Sequence, residues 1–383
     1  MIKILTVIGA RPQIIKSAAI SRAIKQYFSK DIKEVILHTG QHYDDNMSEV
    51  FFREMGIPSP DYNLNVGSGS HGKQTASMLE KIEEVLLKEK PHCLVVYGDT
   101  NSTLAAAVAA VKIHIPVVHI EAGLRSFNKS MPEEINRIGC DHCSTLLFSP
   151  TKTGYNNLVK EGFNPHYKAP FKLDHPGIYH CGDVMFDNTL YFSEIAEKNT
   201  TIIDRLGLKG KEYILLTIHR DNNTDNPDRL HGILSTLNDI SKNNKIDVVF
   251  PAHPRTSKML EQGHGKNIVQ ELKENKLFHI IPPASFLEMI SLEKHCRIVF
   301  TDSGGVQKEA FFLHKPCIVL RSETEWVEVV ECGNSILANA DSKLINEAYK
   351  KLSEKKEFTY APIFGDGKAA EFICKEIIRN FKA

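Results

Sequence analysis

Nothing in this 383-residue chain supplies an apolar run long enough to cross a bilayer. The richest small-residue stretch, LAAAVAAV at 104–111, stops at Lys112, well short of the roughly 20 residues a spanning helix needs. The opening MIKILTVIGARP meets Arg11 too early for a secretory leader, so a cytoplasmic setting with no membrane attachment is expected. Net charge is missing too, since 47 basic residues face 47 acidic ones. That balance removes the field that draws a protein to DNA, RNA or an anionic membrane, and any anion must be held by local groups. The motif vocabulary has matching gaps: HExxH, GxSxG and a GK[ST] phosphate loop are all absent, which excludes those forms of metal, acyl-transfer and nucleotide-triphosphate chemistry, and neither GARPQIIK nor TDSGGVQKEA is a GxGxxG dinucleotide fingerprint. The eight cysteines are scattered through apolar stretches, as suits a reducing compartment. Cys140 and Cys143 form a lone CxxC after the helical-looking PEEINRIG, without the second pair of a zinc ribbon or the strand-to-helix position of a redox motif.

What is present is an alternation of short Val/Ile/Leu-rich runs with longer stretches of helical period, the pattern of parallel βα units. Strands are predicted at 2–9, 34–39, 93–98, 116–121 and 145–150, and again at 212–220, 247–253, 277–283, 297–303 and 315–321. Apolar character on both faces of these runs implies sheets covered by helices on each side. Between the two sets, 163–180 carries three prolines and reads as a loop or connection. The expected architecture is α/β: two doubly wound Rossmann-like domains, 1–180 and 181–365, with a cleft between them. The amphipathic helix over 366–383, opened by Asp366, is expected to cross back to the first domain.

In such sheets ligands bind outside the carboxyl ends of the strands, and those ends are unusually polar here: Arg11, Gln41 and His42, Asp99, Glu121, His219 and Arg220, His253 and Arg255, and Asp302 and Ser303. Two junctions suit phosphate. In GARPQIIK a glycine turn leads to Arg11 with Pro12 at the first helical turn. In TDSGGVQKEA, Gly304 and Gly305 let backbone N–H groups approach an anion at a helix start, with Ser303 adding its hydroxyl. A plain strand-to-helix turn is the competing reading of SGG. Glu309, about one turn further, suits ribose hydroxyls, or is simply a solvated helical acid. Asp302 carries no assigned role. The first half instead supplies acids: Asp99 with capping candidates Thr100, Asn101 and Ser102 behind it, then Glu121, then Glu133 with Arg137 one turn later. Asp99 as a helix cap competes with Asp99 as a proton-transfer group. Acids at neighbouring strand ends are how proton transfers at sugars are usually managed.

The set GARPQIIK, VVYGDTNSTLAA, HIEAGLRS, MPEEINR, TIHR, AHPRT and TDSGGVQKEA, in this order along nearly the whole chain, resembles the non-hydrolysing UDP-N-acetylglucosamine 2-epimerases. The resemblance implies a GT-B-like fold closing on a UDP-sugar and C2 epimerisation of a UDP-N-acetylhexosamine, UDP-GlcNAc to UDP-ManNAc, through elimination and re-addition of UDP, serving surface polysaccharides. It implies no metal, no cofactor and a homodimer. Carried over residue by residue, Asp99, Glu121, Glu133 and His219 would be catalytic. Arg11, Lys16, Arg137, Arg220, His253, Ser303, Gly304, Gly305 and Glu309 would bind the UDP-sugar. Departures are RSETEWVE, with Trp326 and Val327 where the family often has arginine and proline, Asp221–Asn222–Asn223 after HR, and the neighbourhood of HGKQT. TEWVE resembles a branch acting on UDP-2,3-diacetamido-2,3-dideoxyglucuronate. A hydrolysing relative, a GT-B glycosyltransferase and a non-catalytic UDP-sugar binder remain alternatives.

Overall fold

A computed structural model describes residues 1–41, 56–260 and 265–382, with the backbone alone at 254–255 and 265–267. The chain divides into two compact units, Met1–Asn188 with Pro362–Ala383, and Thr189–Ala361.

The first unit holds a parallel sheet of seven strands: β1 (Ile2–Ile8), β2 (Ile32–His38), β3 (Tyr62–Asn63), β4 (Cys93–Tyr97), β5 (Val117–Ile120), β6 (Leu146–Ser149) and β7 (Gly177–His180), in the order β3-β2-β1-β4-β5-β6-β7. The second holds six: β8 (Tyr213–Thr217), β9 (Asp247–Pro251), β10 (Phe278–Ile281), β11 (Ile298–Thr301), β12 (Cys317–Val319) and β13 (Ser335–Leu337), ordered β10-β9-β8-β11-β12-β13. Each order reverses direction once, between β1 and β4 and between β8 and β11. Successive crossovers leave on opposite sides there, which opens a crevice at the carboxyl ends of the strands. The predicted doubly wound class is therefore the observed one.

The continuous apolar runs are buried on both faces. In the second sheet Ile214, Leu216 and Phe300 pack to one side, against Leu234 and Leu237 of helix Pro227–Asn244, and Leu215 and Val299 pack to the other, against Leu292 and Ala310. Three strands escaped the sequence reading. β3 and β13 have only two and three residues, too short to show a period. β7 lies inside the proline-bearing stretch read as a loop; it starts right after Pro176 and pairs with β6 along one side only, so it needs no donor from the proline and little apolar sequence.

The predicted break at 180/181 differs from the observed division, which falls at Asn188 within helix Val184–Asn199. The C-terminal helix is Ala369–Phe381. Its opening N–H groups, at Ala369 and Ala370, donate to Asp187 at 3.2 and 2.8 Å, whereas Asp366 accepts from the N–H of Lys368, just ahead of the helix. The cap is thus a tertiary one, and the expectation for Asp366 is corrected.

Candidate functional site

In the first unit the turn after β1 is built by Gln13. Its carbonyl oxygen accepts the N–H groups of Gly9 and Ala10 at 2.8 and 3.2 Å, and its amide donates to the Tyr97 carbonyl at 3.0 Å and the Thr103 hydroxyl at 2.9 Å. Gly9 is required by proximity: a Cβ there would lie 2.1 Å from Ser102 Oγ and 2.2 Å from Thr39 Oγ1. The turn launches helix Arg11–Ala23, which carries exposed Arg11 at its first position and Lys16 one turn on. Lys16 pairs with Glu121 at the end of β5.

Asp99, at the end of β4, is not the cap of the following helix. Thr100 takes that role by accepting from Thr103 N, and Asp99 turns to Arg137, whose Nη2 and Nε lie 2.7 and 2.9 Å from Oδ2. The cap reading of Asp99 is thereby set aside, and its carboxylate is engaged by an arginine instead. Burial holds the Asp99 carboxyl above its ordinary range with help from Glu121, while Arg137 and Lys16 pull it back. Glu121 itself stands at φ 76°, a left-handed backbone that a non-glycine residue adopts only when its surroundings impose it.

Helix Pro132–His142 separates the two glutamates of MPEEINR. Glu133 is exposed. Glu134, which the sequence reading passed over, is buried, accepts the N–H groups of Ser126 and Phe127, and pairs with Arg137 at 2.7 Å. Burial works against its charge, but these donors outweigh it and hold the carboxyl below the usual range. The signal available was its spacing of three from Arg137, one helical face. Asn136 adds a bond to the Asp99 carbonyl at 2.9 Å. His42 lies outside the described residues, as does the side chain of Arg255.

In the second unit Asp302 is the keystone. Fully buried at the end of β11, its carboxylate accepts the N–H of His219 at 3.1 Å, the N–H of Arg220 at 3.1 Å and the Asn223 amide at 3.1 Å. The turn bearing His219 and Arg220 is thereby tied to the turn bearing Ser303. His219 Nδ1 lies 3.3 Å from Asp302. Burial lowers the His219 pKa, and Arg220 adds to this against the pull of Asp302. A neutral ring with Nδ1–H toward Asp302 leaves Nε2 as an acceptor. The exposed His253 ring is centred 6.0 Å from that of His219.

Ser303 caps helix Gly304–Phe312 by accepting from Val306 N. Gly304 is required by a close neighbour, since a Cβ would fall 2.2 Å from Glu325 Oε1; at Gly305 only Ser303 Oγ comes near, at 3.7 Å. Glu325 is bonded by Arg321 at 2.9 Å and lies 4.0 Å from Arg220. Glu325 thus draws two arginines to the start of this helix, whose N-terminal end favours negative charge. Trp326, which stands in the departing TEWVE segment, is buried under the Lys308 ammonium, 4.1 Å from its ring centroid. Glu309 faces the fully buried Glu293 of helix Phe286–His295. Burial drives the Glu293 carboxyl well above the normal range, and Glu309, to which it hydrogen-bonds, adds to the rise. No sequence pattern announces this pair.

The structure thus brings Lys16, Asp99, Glu121 and Arg137 together in one unit. It brings His219, Arg220, Ser303, Gly304 and Gly305 together in the other, with Glu309 further along the Ser303-capped helix. Among the described residues no group of His, Cys, Asp and Glu is placed to hold a metal.

The family model described as UDP-N-acetylglucosamine 2-epimerase matches residues 25–378. A UDP-N-acetylglucosamine 2-epimerase homolog of Methanococcus maripaludis is 48% identical over 379 residues, covering 99% of each chain. The UDP-2,3-diacetamido-2,3-dideoxy-D-glucuronate 2-epimerase of Pseudomonas aeruginosa is 46% identical over 377 residues, covering 98% of this chain and 99% of that one. Among solved structures, the Methanocaldococcus jannaschii UDP-GlcNAc 2-epimerase in complex with UDP-GlcNAc and UDP superposes with a TM-score of 0.84 at 42% identity, covering 98% and 99% of the two chains.

Proposed function

The chain belongs to the UDP-N-acetylglucosamine 2-epimerase family of isomerases, and from that premise we propose that it inverts C2 of a UDP-2-acetamido sugar by eliminating and re-adding UDP. The observation that carries this reading is the pairing of Asp99 with Arg137 and of Glu121 with Lys16 at the ends of adjacent strands β4 and β5. The C2 proton of the sugar has no neighbouring carbonyl to stabilise its loss. In the proposed route the C2–H and C1–O bonds break and a C1=C2 bond forms. UDP departs with the C–O electron pair, and the proton passes to an enzyme base. Re-addition reverses these changes with the proton delivered to the other face. Asp99, Glu121 and the exposed Glu133 supply the proton carriers. The raised carboxyl of Asp99 and the ion pairs of Asp99 and Glu121 suit groups that exchange a proton at neutral pH.

The departing diphosphate needs fixed positive partners. The helix start at Ser303–Gly304–Gly305, with Arg220, is the proposed cradle, with His253 beside it and Glu309 on the ribose. A homodimer, which light scattering reads directly, and a cytoplasmic setting complete the proposal.

UDP-GlcNAc is the leading substrate. UDP-2,3-diacetamido-2,3-dideoxyglucuronate is the second reading, favoured by the buried Trp326–Lys308 stack beside the Gly304 turn. Incubation with each in D2O is expected to yield a C2 epimer carrying deuterium at C2 from one of them, visible by proton NMR. Asp99→Asn and Glu121→Gln are expected to abolish exchange while UDP still binds. Sugars recovered intact and undeuterated from both incubations would sink the proposal, and free UDP with a released hexosamine would point to hydrolysis instead.

A further inference from the structure

β4 and β5 end in the two acids, and the residue that joins these ends is His119, fully buried on β5 two positions before Glu121. Its Nδ1 lies 2.7 Å from Asp141 Oδ1 and its Nε2 lies 2.8 Å from the Gly98 carbonyl, the peptide oxygen immediately before Asp99. A backbone carbonyl only accepts. A neutral imidazole has one donor and one lone pair, so either tautomer would aim a lone pair at an oxygen.

The second half of the arrangement lies on Asp141. Its other oxygen, Oδ2, accepts the N–H of Gly123 at 3.1 Å and the Arg125 guanidinium at 2.7 Å. Residues two before and two after Glu121 are therefore bound to the two oxygens of one buried carboxylate. Between them Glu121 keeps its left-handed backbone, and its own N–H and that of Ala122 both donate to the Phe148 carbonyl at 3.0 Å. Charge balances within the cluster, with His119 and Arg125 positive and Asp141 and Glu161 negative, Glu161 being 2.6 Å from Arg125.

We propose that His119 is a permanent imidazolium which, clamped by Asp141, positions Asp99 and Glu121 for proton transfer. It touches no reacting atom and acts through the two strand ends. This rests on the reading of Asp99 and Glu121 as the proton carriers. Burial alone would discharge the ring, but Cys140 and Asp141 on helix Pro132–His142 offset it and raise the pKa well above its ordinary value. Asp141 in turn is held below the usual carboxylate range: burial opposes its charge, and His119 and Arg125 prevail.

The protonation state is tested on the unmodified enzyme with 15N-labelled histidine. Long-range nitrogen–proton spectra between pH 6 and 9 should show one histidine with protons on both ring nitrogens throughout, a signal missing in His119→Gln. No such histidine, or one that loses a proton in this range, would overturn the charge assignment whatever the catalytic residues are. The positioning role is tested by kinetics. His119→Gln keeps a donor for Gly98 without the charge, and kcat is expected to fall roughly a hundredfold, the effect of an ångström-scale misplacement, with UDP affinity unchanged. His119→Leu should be worse, with Gln a partial rescue. A folded Gln variant with normal kcat would refute the role. Should neither variant fold, the arrangement is read from the pH dependence of the unmodified enzyme: exchange at C2 should show no titration near the ordinary histidine pKa assignable to the His119 signal.

Discussion

Asp302 ties the turn bearing His219 and Arg220 to the turn bearing Ser303. Its position next to Ser303 invites a direct role, yet its carboxylate is fully spent on the His219 and Arg220 N–H groups and the Asn223 amide. Asn223, in turn, bonds the Leu320 carbonyl and receives Arg229, so this one of the residues following HR helps to hold Asp302. In Asp302→Asn one carboxylate oxygen becomes an NH2 that faces N–H donors. Hydrogen bonds to a buried charge contribute roughly 1.5–3 kcal/mol each, and about 1.4 kcal/mol is a tenfold change in affinity. UDP affinity measured by calorimetry is expected to fall at least about tenfold. Unchanged affinity would mean the two turns keep their places without this tie.

At the scale of the element, the site depends on how helices begin. Thr100 and Ser303 cap their helices from the adjacent position, as local sequence suggests. Helix Ala369–Phe381 instead takes its cap from Asp187, 182 positions away along the chain. Burial raises this carboxyl from 3.8 to about 6, more than the N–H groups of Ala370 and Ala369 lower it. A raised native pKa means that the folded state holds the proton more tightly. The contribution is therefore present at pH below about 4 and is lost as pH rises through about 6. Urea unfolding of the parent and Asp187→Asn from pH 4 to 8 should show the parent losing stability relative to the variant. The loss should be roughly 2–3 kcal/mol, from about 1.4 kcal/mol per pH unit. Parallel pH curves would show that the carboxyl ionises freely in the native state.

At the scale of the molecule, each unit is a complete doubly wound sheet, but the first is closed by sequence from the far end of the chain. Phe372 packs edge-on to Phe148 and Tyr179, Tyr179 donates to Glu376 at 2.7 Å, Phe171 N–H donates to Asn380 at 2.6 Å and Lys382 pairs with Asp31 at 2.7 Å. A chain ending at 361 is expected to lose hydrogen-exchange protection in β6, β7 and helix Arg11–Ala23 while β8–β13 stay protected. Uniform loss in both units would show that they unfold as one.

Residue order alone carried the parallel βα rhythm, the two sheets and the strand ends that bear acids and cations. Apolar runs between helical periods, followed by punctuating polar residues, are local and periodic signals. It also marked Asp99, Glu121 and TDSGG as chemistry-bearing positions, because those groups stand where a parallel sheet opens. What needed the folded chain were the pairings: Lys16 with Glu121, Arg137 with Asp99 and Glu134, His119 with Asp141 and Gly98, and Glu293 with Glu309. Strand β7 and the Asp187 cap belong to the same class. Hydrogen bonds and ion pairs between residues far apart in sequence leave no period in it. Which of two adjacent glutamates is buried, or whether an aspartate caps a helix or meets an arginine, is settled only when tertiary packing brings the partner within bonding distance.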